Sequence, residues 1–267
     1  MSFFVEPRAD LSMQKEVHVI TCGASLLRNF ARNLTQSSLL CKYPDLKEKL
    51  EDPNVSEGFL KSLSGDEKIA LKGEMLKYLE RNPKAASAEL NSLLSYVEQV
   101  KGTSKLEEVV SEVHIFRSDT EAGKIVADVL QDYLHSLGAN VSIHTVAGFG
   151  TGDFSSAVKN LVRSARDVVR RNKNVVLNLT AGFKAETAAM AVLASESDLD
   201  QYYIHESSKK VVMLPKASEL KVRMTKWEKV AGVLAVLLNI PFSLNVAEIS
   251  LKLMITGALI WILWKKA

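Results

Sequence analysis

Cysteine is almost missing from this sequence. Cys22 and Cys41 are its two cysteines; they lack the spacing of a zinc-ligand set and do not suggest a disulfide framework. Cys22 falls in an apolar, β-branched run, where a small buried thiol is the expected role. A surplus of charge is missing too. With 34 Lys and Arg against 31 Asp and Glu the net charge is +3, too small by itself to point to a nucleic acid partner. The first residues carry acidic groups and no apolar core of signal-peptide length, so we expect a protein that stays in the cytoplasm. Nothing in the sequence supplies a metal site, and nothing calls for a bound cofactor.

Apolar residues are plentiful by contrast. A hydrophobic content of 47% over 267 residues is enough for one sizeable domain with an appendage, or for two domains. The chain is organised around residues 174–186. A branched apolar run at 175–179 predicts a buried strand. It stops at the small-residue turn Thr180-Ala181-Gly182-Phe183, and an alanine-rich helix is predicted over 185–195. A strand that turns tightly into a helix gathers unpaired backbone N–H groups at one point, which favours an anion. Lys184 adds a full positive charge there, so the expected ligand carries phosphate.

The same strand–turn–helix pattern recurs. Residues 16–22 predict a strand, Gly23-Ala24-Ser25 a turn, and 26–34 a helix. Ser25 offers a hydroxyl either to a ligand or as a helix cap, and Arg28, Asn29 and Arg32 follow within two turns. A strand at 112–117 leads through Ser118-Asp119-Thr120 into a helix over 121–137. That trio reads first as N-cap chemistry, and second as a contact to a ribose or phosphate. A strand at 141–146 precedes Gly148-Phe149-Gly150-Thr151-Gly152-Asp153, a loop whose glycines permit close backbone approach. The helix predicted over 154–171 carries Lys159, Arg163, Arg166, Arg170 and Arg171, which read as a solvated basic face. Residues 201–206 and 211–215 predict two last strands.

Strands alternating with helices predict an α/β fold, with a Rossmann-like, mostly parallel sheet and helices on both faces. Ligands of such sheets gather beyond the carboxyl ends of the strands. Ser25, Asp119, residues 148–153 and residues 180–184 all follow strands and are therefore expected on one rim. Residues 35–105 interrupt the alternation. They are charged, helical in period and punctuated at Pro44, Pro53, Gly65 and Pro83, and they predict a helical insertion packed on one edge of the sheet. Residues 1–15 read as a polar leader.

Five segments together resemble a known family. They are Thr21-Cys22-Gly23-Ala24-Ser25-Leu26-Leu27-Arg28-Asn29, Ala86-Ser87-Ala88-Glu89-Leu90-Asn91-Ser92-Leu93, Ser118-Asp119-Thr120-Glu121-Ala122-Gly123, Asn178-Leu179-Thr180-Ala181-Gly182-Phe183-Lys184 and Tyr203-Ile204-His205-Glu206. In this order they look like the CRISPR-associated Rossmann-fold (CARF) sensor domain of type III systems, in its ring-nuclease branch, over residues 16–217. The resemblance implies a homodimer that binds a cyclic oligoadenylate, cyclic tetra-adenylate above all, across its two-fold axis. It also implies metal-independent cleavage in which a ribose 2′-hydroxyl attacks the adjacent phosphate. By matching position, Lys184 would stabilise the phosphate and Ser25 would position the phosphate or the attacking hydroxyl. Ligand contacts are implied at Gly23, Ala24, Arg28 and Asn29, at Ser118, Asp119 and Thr120, and at Gly150, Thr151 and Asp153. The last group is Thr180, Ala181, Gly182 and Phe183. His205 and Glu206 read as structural. Proteins of this kind carry two glycines ahead of Phe-Lys, and this chain has Ala181 at the first. That departure favours the alternative of a non-catalytic sensor that switches its C-terminal segment.

That segment, 225–267, is a separate problem. Residues 230–247 contain no charge, and 253–264 are almost wholly apolar. One reading is a membrane hairpin through 230–264, flanked by Lys226 and Lys229 and by Lys265 and Lys266. The other is a helix-turn-helix remnant packed as a dimerising appendage, which we weigh slightly higher. A recognition helix built from Gly257-Ala258-Leu259-Ile260-Trp261 has almost nothing to offer phosphates or base edges, which argues against DNA binding.

Overall fold

The computed structural model describes residues 15–182, 184–205 and 208–219. Most of the polar leader, Phe183, Glu206 and the apolar segment 225–267 lie outside the described residues.

Six strands form one sheet: β1 (Glu16–Cys22), β2 (Val110–Ser118), β3 (Asn140–Val146), β4 (Val175–Asn178), β5 (Asp200–Ile204) and β6 (Val211–Leu214). Their order is β3-β2-β1-β4-β5-β6. All neighbours pair parallel except β5 and β6, which form an antiparallel edge. The mostly parallel, Rossmann-like sheet expected from the alternating pattern is therefore present. The chain runs outward from β1 to β3, then crosses back to β4 on the other side of β1. This reversal places a topological switch point between β1 and β4, where such sheets open a crevice for ligands.

Buried strand residues divide by parity, because successive side chains point to opposite faces. In β1, Val17 and Val19 join one hydrophobic cluster, and Ile20 and Cys22 join the other. The smaller cluster is closed by α9 (Phe154–Arg171) and α10 (Lys184–Glu196), through Leu161, Ala165, Met190 and Leu193. The larger is closed by α1 (Ser25–Arg32), α2 (Leu46–Glu51), α3 (Pro53–Ser62), α4 (Gly65–Arg81), α5 (Pro83–Ala86), α6 (Ala88–Gln99), α7 (Leu106–Val109) and α8 (Glu121–Ser136). Leu71, Met75 and Leu79 of α4 and Leu90 and Leu93 of α6 are fully buried in it. Each such burial contributes roughly 1.5–3 kcal/mol relative to exposure.

The breaks expected at Pro53, Gly65 and Pro83 are present, and each is the first residue of a new helix. Proline's missing N–H costs nothing at that position, and Ser64 with Glu67 completes a capping box ahead of α4. One expectation is corrected: the insertion does not sit on an edge. Its last long helix, α6, lies over the face of the sheet across β1, β4, β5 and β6, while α4 packs on α8 and α2 on α1. The insertion is thus part of the main core, and α6 brings its own side chains to the switch point.

Candidate functional site

The first turn follows Cys22. Gly23 and Ala24 carry the chain into α1, whose N-cap is Ala24 and which has no side-chain cap. Ser25 is the first residue of the helix and does not cap it. Its hydroxyl donates to Glu89 Oε2 at 2.8 Å and accepts from the Ala88 N–H at 3.3 Å. Glu89, from α6, also accepts the Gly23 N–H on Oε1 at 2.8 Å and the Ser87 hydroxyl on Oε2 at 2.7 Å. The Glu89 side chain is fully buried. A carboxylate from the insertion therefore fills the place beside Gly23 where an anion was expected. Asn29, one turn on, donates to the carbonyls of Ala85 and Ala86 and fastens α1 to the insertion. Arg28 is exposed, and no carboxylate among the described residues pairs with it.

The second turn follows β4 and is held by its own side chains together with partners from α6, β5 and β1. Asn178 accepts the Thr180 N–H at 3.0 Å and donates to Ser92 Oγ at 2.6 Å. Thr180 Oγ1 accepts the Ile204 N–H at 3.0 Å, and Thr21 Oγ1 donates to the Ala181 carbonyl at 2.6 Å. Gly182 has φ of 98°, in the left-handed region, and a methyl group on it would collide with Thr21 and Glu186. Only glycine fits both the angle and the space. Ala181 is buried and has no such angle, so its methyl group is accommodated. The two turns approach each other: a Cβ built on Gly23 would stand 3.8 Å from the Gly182 amide nitrogen. Lys184, the first residue of α10, is exposed two residues further on.

A cavity of about 430 Å³ opens at this point, within the ~300–1,000 Å³ usual for small-molecule sites. Gly23, Ala24, Ser25, Arg28, Ser118, Thr120, Thr180, Ala181 and Gly182 all line it. So do Phe149 and Phe154, whose rings meet edge to face at 6.1 Å, and four glutamates, Glu51, Glu57, Glu89 and Glu186. Arg28 is the one cation in that lining among the described residues. Burial, followed by the nearby Glu89 and Glu186 charges, pushes the Cys22 thiol well above its ordinary value, against a smaller opposing pull from Arg117. Cys22 is thus the inert buried thiol expected of it.

The other rim residues brace loops. Thr120 caps α8 by accepting the Gly123 N–H at 3.0 Å, and its hydroxyl lies 2.6 Å from that of Ser118. The first two amides of α8, of Glu121 and Ala122, donate to the Glu57 carboxylate at 2.9 and 3.2 Å. Burial alone would raise the Glu57 pKa, but these amides and Lys61 hold it below the ordinary glutamate value. Asp119 accepts the amides of Gly148 and Gly150 at 3.0 and 2.5 Å, tying the glycine-rich loop to β2. There too burial raises the pKa and the amide hydrogen bonds more than offset it. Thr151 donates to the Gly148 carbonyl, and Asp153 caps α9. Lys184, Asn29, Asp119, Gly150, Thr151 and Asp153 do not line the cavity. His205 sits in the β5–β6 turn with Ser208 Oγ at 3.2 Å from its ring. Among the described residues no three His, Cys, Asp or Glu side chains gather as metal ligands, and no helix is long and apolar enough to cross a membrane.

Sequence reasoning gave no role to Glu89, Glu57 or Glu186. A signal existed for the first: Ser87-Ala88-Glu89 puts a charged residue two places after a cap serine, on a helix face whose neighbours Leu90 and Leu93 are core.

Residues 84–217 match the family described as CRISPR-associated protein (Cas_APE2256). The match covers half of the 267-residue chain, including Glu89, β2, β4 and the turn before α10, and the chain belongs to this family.

Proposed function

We propose that this CRISPR-associated protein binds a cyclic oligoadenylate, cyclic tetra-adenylate in particular, at the β1/β4 crevice and cleaves it without a metal ion. The observation that carries the reading is the meeting of two turns over one cavity. At the first turn the Gly23 amide is held by Glu89, but the start of α1 behind it has no side-chain cap and leaves its amides to a ligand. The Thr180–Gly182 turn delivers the chain to Lys184 at the start of a second helix. Helix starts favour phosphate oxygens through their amides and dipole, and the paired phenylalanines at the rim suit the face of a base.

In this reading the ring's own ribose supplies the nucleophile. The protein holds the 2′-hydroxyl in line with the adjacent phosphorus and stabilises the added negative charge. Lys184 takes the phosphate and Ser25 the attacking hydroxyl. Each subunit of a homodimer presents the same rim to half of a two-fold ring, as an isologous interface allows. The signal removed would belong to type III antiviral signalling.

The test is incubation of the purified protein with cyclic tetra-adenylate and a chelator. Linear product ending in a 2′,3′-cyclic phosphate is expected; an intact ring despite binding would leave the second reading, a sensor without turnover. That second reading draws on the lining, where four glutamates face one arginine and would repel a ligand dense in phosphate.

A further inference from the structure

The polarity of the hydrogen bonds around Ser25 limits what it can do. A serine hydroxyl has one proton to give and two lone pairs. Here the proton points to Glu89 Oε2 at 2.8 Å, and one lone pair takes the Ala88 N–H. What remains toward the cavity is a single acceptor site. A phosphate oxygen cannot use it, because that oxygen is itself an acceptor. A ribose hydroxyl can.

Glu89 is the unusual partner in this arrangement. It is fully buried, no lysine or arginine among the described residues pairs with it, and three donors converge on its two oxygens. Oε1 holds the Gly23 amide, which fixes the turn. Oε2 faces the hydroxyls of Ser25 and Ser87. A neutral amide side chain could hold Gly23 equally well. A buried carboxyl group at this point is costly to the fold unless it does more.

Resting on the reading above, we propose that Glu89 is the positioning residue that takes up, through Ser25, the proton of the attacking 2′-hydroxyl. As the 2′-oxygen–phosphorus bond forms, the 2′-hydroxyl proton passes to Ser25 Oγ and the Ser25 proton passes to Glu89 Oε2. The phosphorus–5′-oxygen bond breaks with its electron pair on the 5′-oxygen, which takes a proton from solvent water. The products are a 2′,3′-cyclic phosphate and a 5′-hydroxyl. Glu89 then returns its proton through Ser25 to water, and no other reactant is consumed. Ser25 is thereby a catalytic residue, and Glu89 sets its direction from the insertion helix.

The test is a cycle of Glu89→Gln, Ser25→Ala and the double variant, read as single-turnover cleavage and as the Kd for cyclic tetra-adenylate. General-base assistance of this kind contributes roughly 100-fold or more. Glu89→Gln is expected to lose about that factor in rate with Kd moved less than about threefold, and to cost little further in the Ser25→Ala background. Equal rates for Glu89→Gln and wild type, or losses that multiply in the double variant, would overturn the proposal. A wild type that leaves the ring intact would instead overturn the cleavage reading itself, which separates the two failures. Should Glu89→Gln not fold, the ligand can be changed. Wild type is expected to bind the ribose ring on the order of tenfold more tightly than its all-2′-deoxy counterpart, the value of one hydrogen bond, and Ser25→Ala to bind both alike. Undiminished discrimination by Ser25→Ala would overturn the acceptor role.

Discussion

The two turns at the switch point look alike as sequence, each a short apolar strand that ends in small residues and enters a helix. They are held differently. The Gly23–Ser25 turn depends on a residue 64 positions away, since Glu89 secures the Gly23 amide and the Ser25 hydroxyl. The Thr180–Gly182 turn is braced from several elements at once: Asn178 bonds the Thr180 amide and Ser92 of α6, Thr180 takes the Ile204 amide, and Thr21 of β1 bonds the Ala181 carbonyl and packs on Gly182. The first turn therefore hangs on one carboxylate of the insertion, whereas the second is tied to β1, β5 and α6 together and makes a firm platform for the start of α10 at Lys184. Chemistry that needs a movable proton suits the first. Fixed positive charge suits the second.

That contrast can be broken one residue at a time. The largest effect is expected at the platform's charge: Lys184→Ala should lower turnover roughly 100- to 1,000-fold, the usual loss for one stabilising group at a developing charge. Circular dichroism should stay unchanged, because the side chain is exposed. Next is Gly182→Ala, which forces an L-residue into the left-handed region against Thr21 and Glu186. A loss of about 3 kcal/mol in denaturant unfolding is expected, and a neutral result would remove the rigid-platform account. Thr180→Val keeps the shape and deletes the acceptor of the Ile204 amide, so about 1–2 kcal/mol should be lost.

The mildest effect lies in the sheet rather than the turns. His18, His114 and His144 are all held below the ordinary histidine value of 6.5, with burial the leading cause in each. They are neutral in the fold where an unfolded chain would already take up protons. Their contribution is therefore full above pH 6.5 and is lost as pH falls through that value toward the depressed folded ones. Melting temperature should decline gradually between about pH 7.5 and about pH 5.5, and His18→Gln should flatten part of the slope.

Local pattern made the frame readable. Strand 16–22 and helix 154–171 agree residue for residue with β1 and α9, because branched runs and amphipathic spacing speak for the elements that contain them. The rim was readable for the same reason, since each turn follows a strand. What could not be read was partnership across long separations. The Ser118-Asp119-Thr120 trio reads first as a cap and second as a ribose or phosphate contact; Thr120 is the cap, and Asp119 holds Gly148 and Gly150. Ser25 looked like a cap or a phosphate ligand, yet its proton belongs to Glu89. Both facts depend on where the insertion and the glycine-rich loop fold back, and apart from the charge placed on the core face of α6 at Glu89, spacing along the chain carries no trace of that.

The most direct test of the central claim is titration calorimetry of the purified protein with cyclic tetra-adenylate, at low temperature and short contact time. Saturable binding at one ring per two chains is expected, weakened by Lys184→Ala. No heat of binding, or binding that Lys184→Ala and Ser25→Ala leave untouched, would contradict the assignment of the β1/β4 crevice to this ligand.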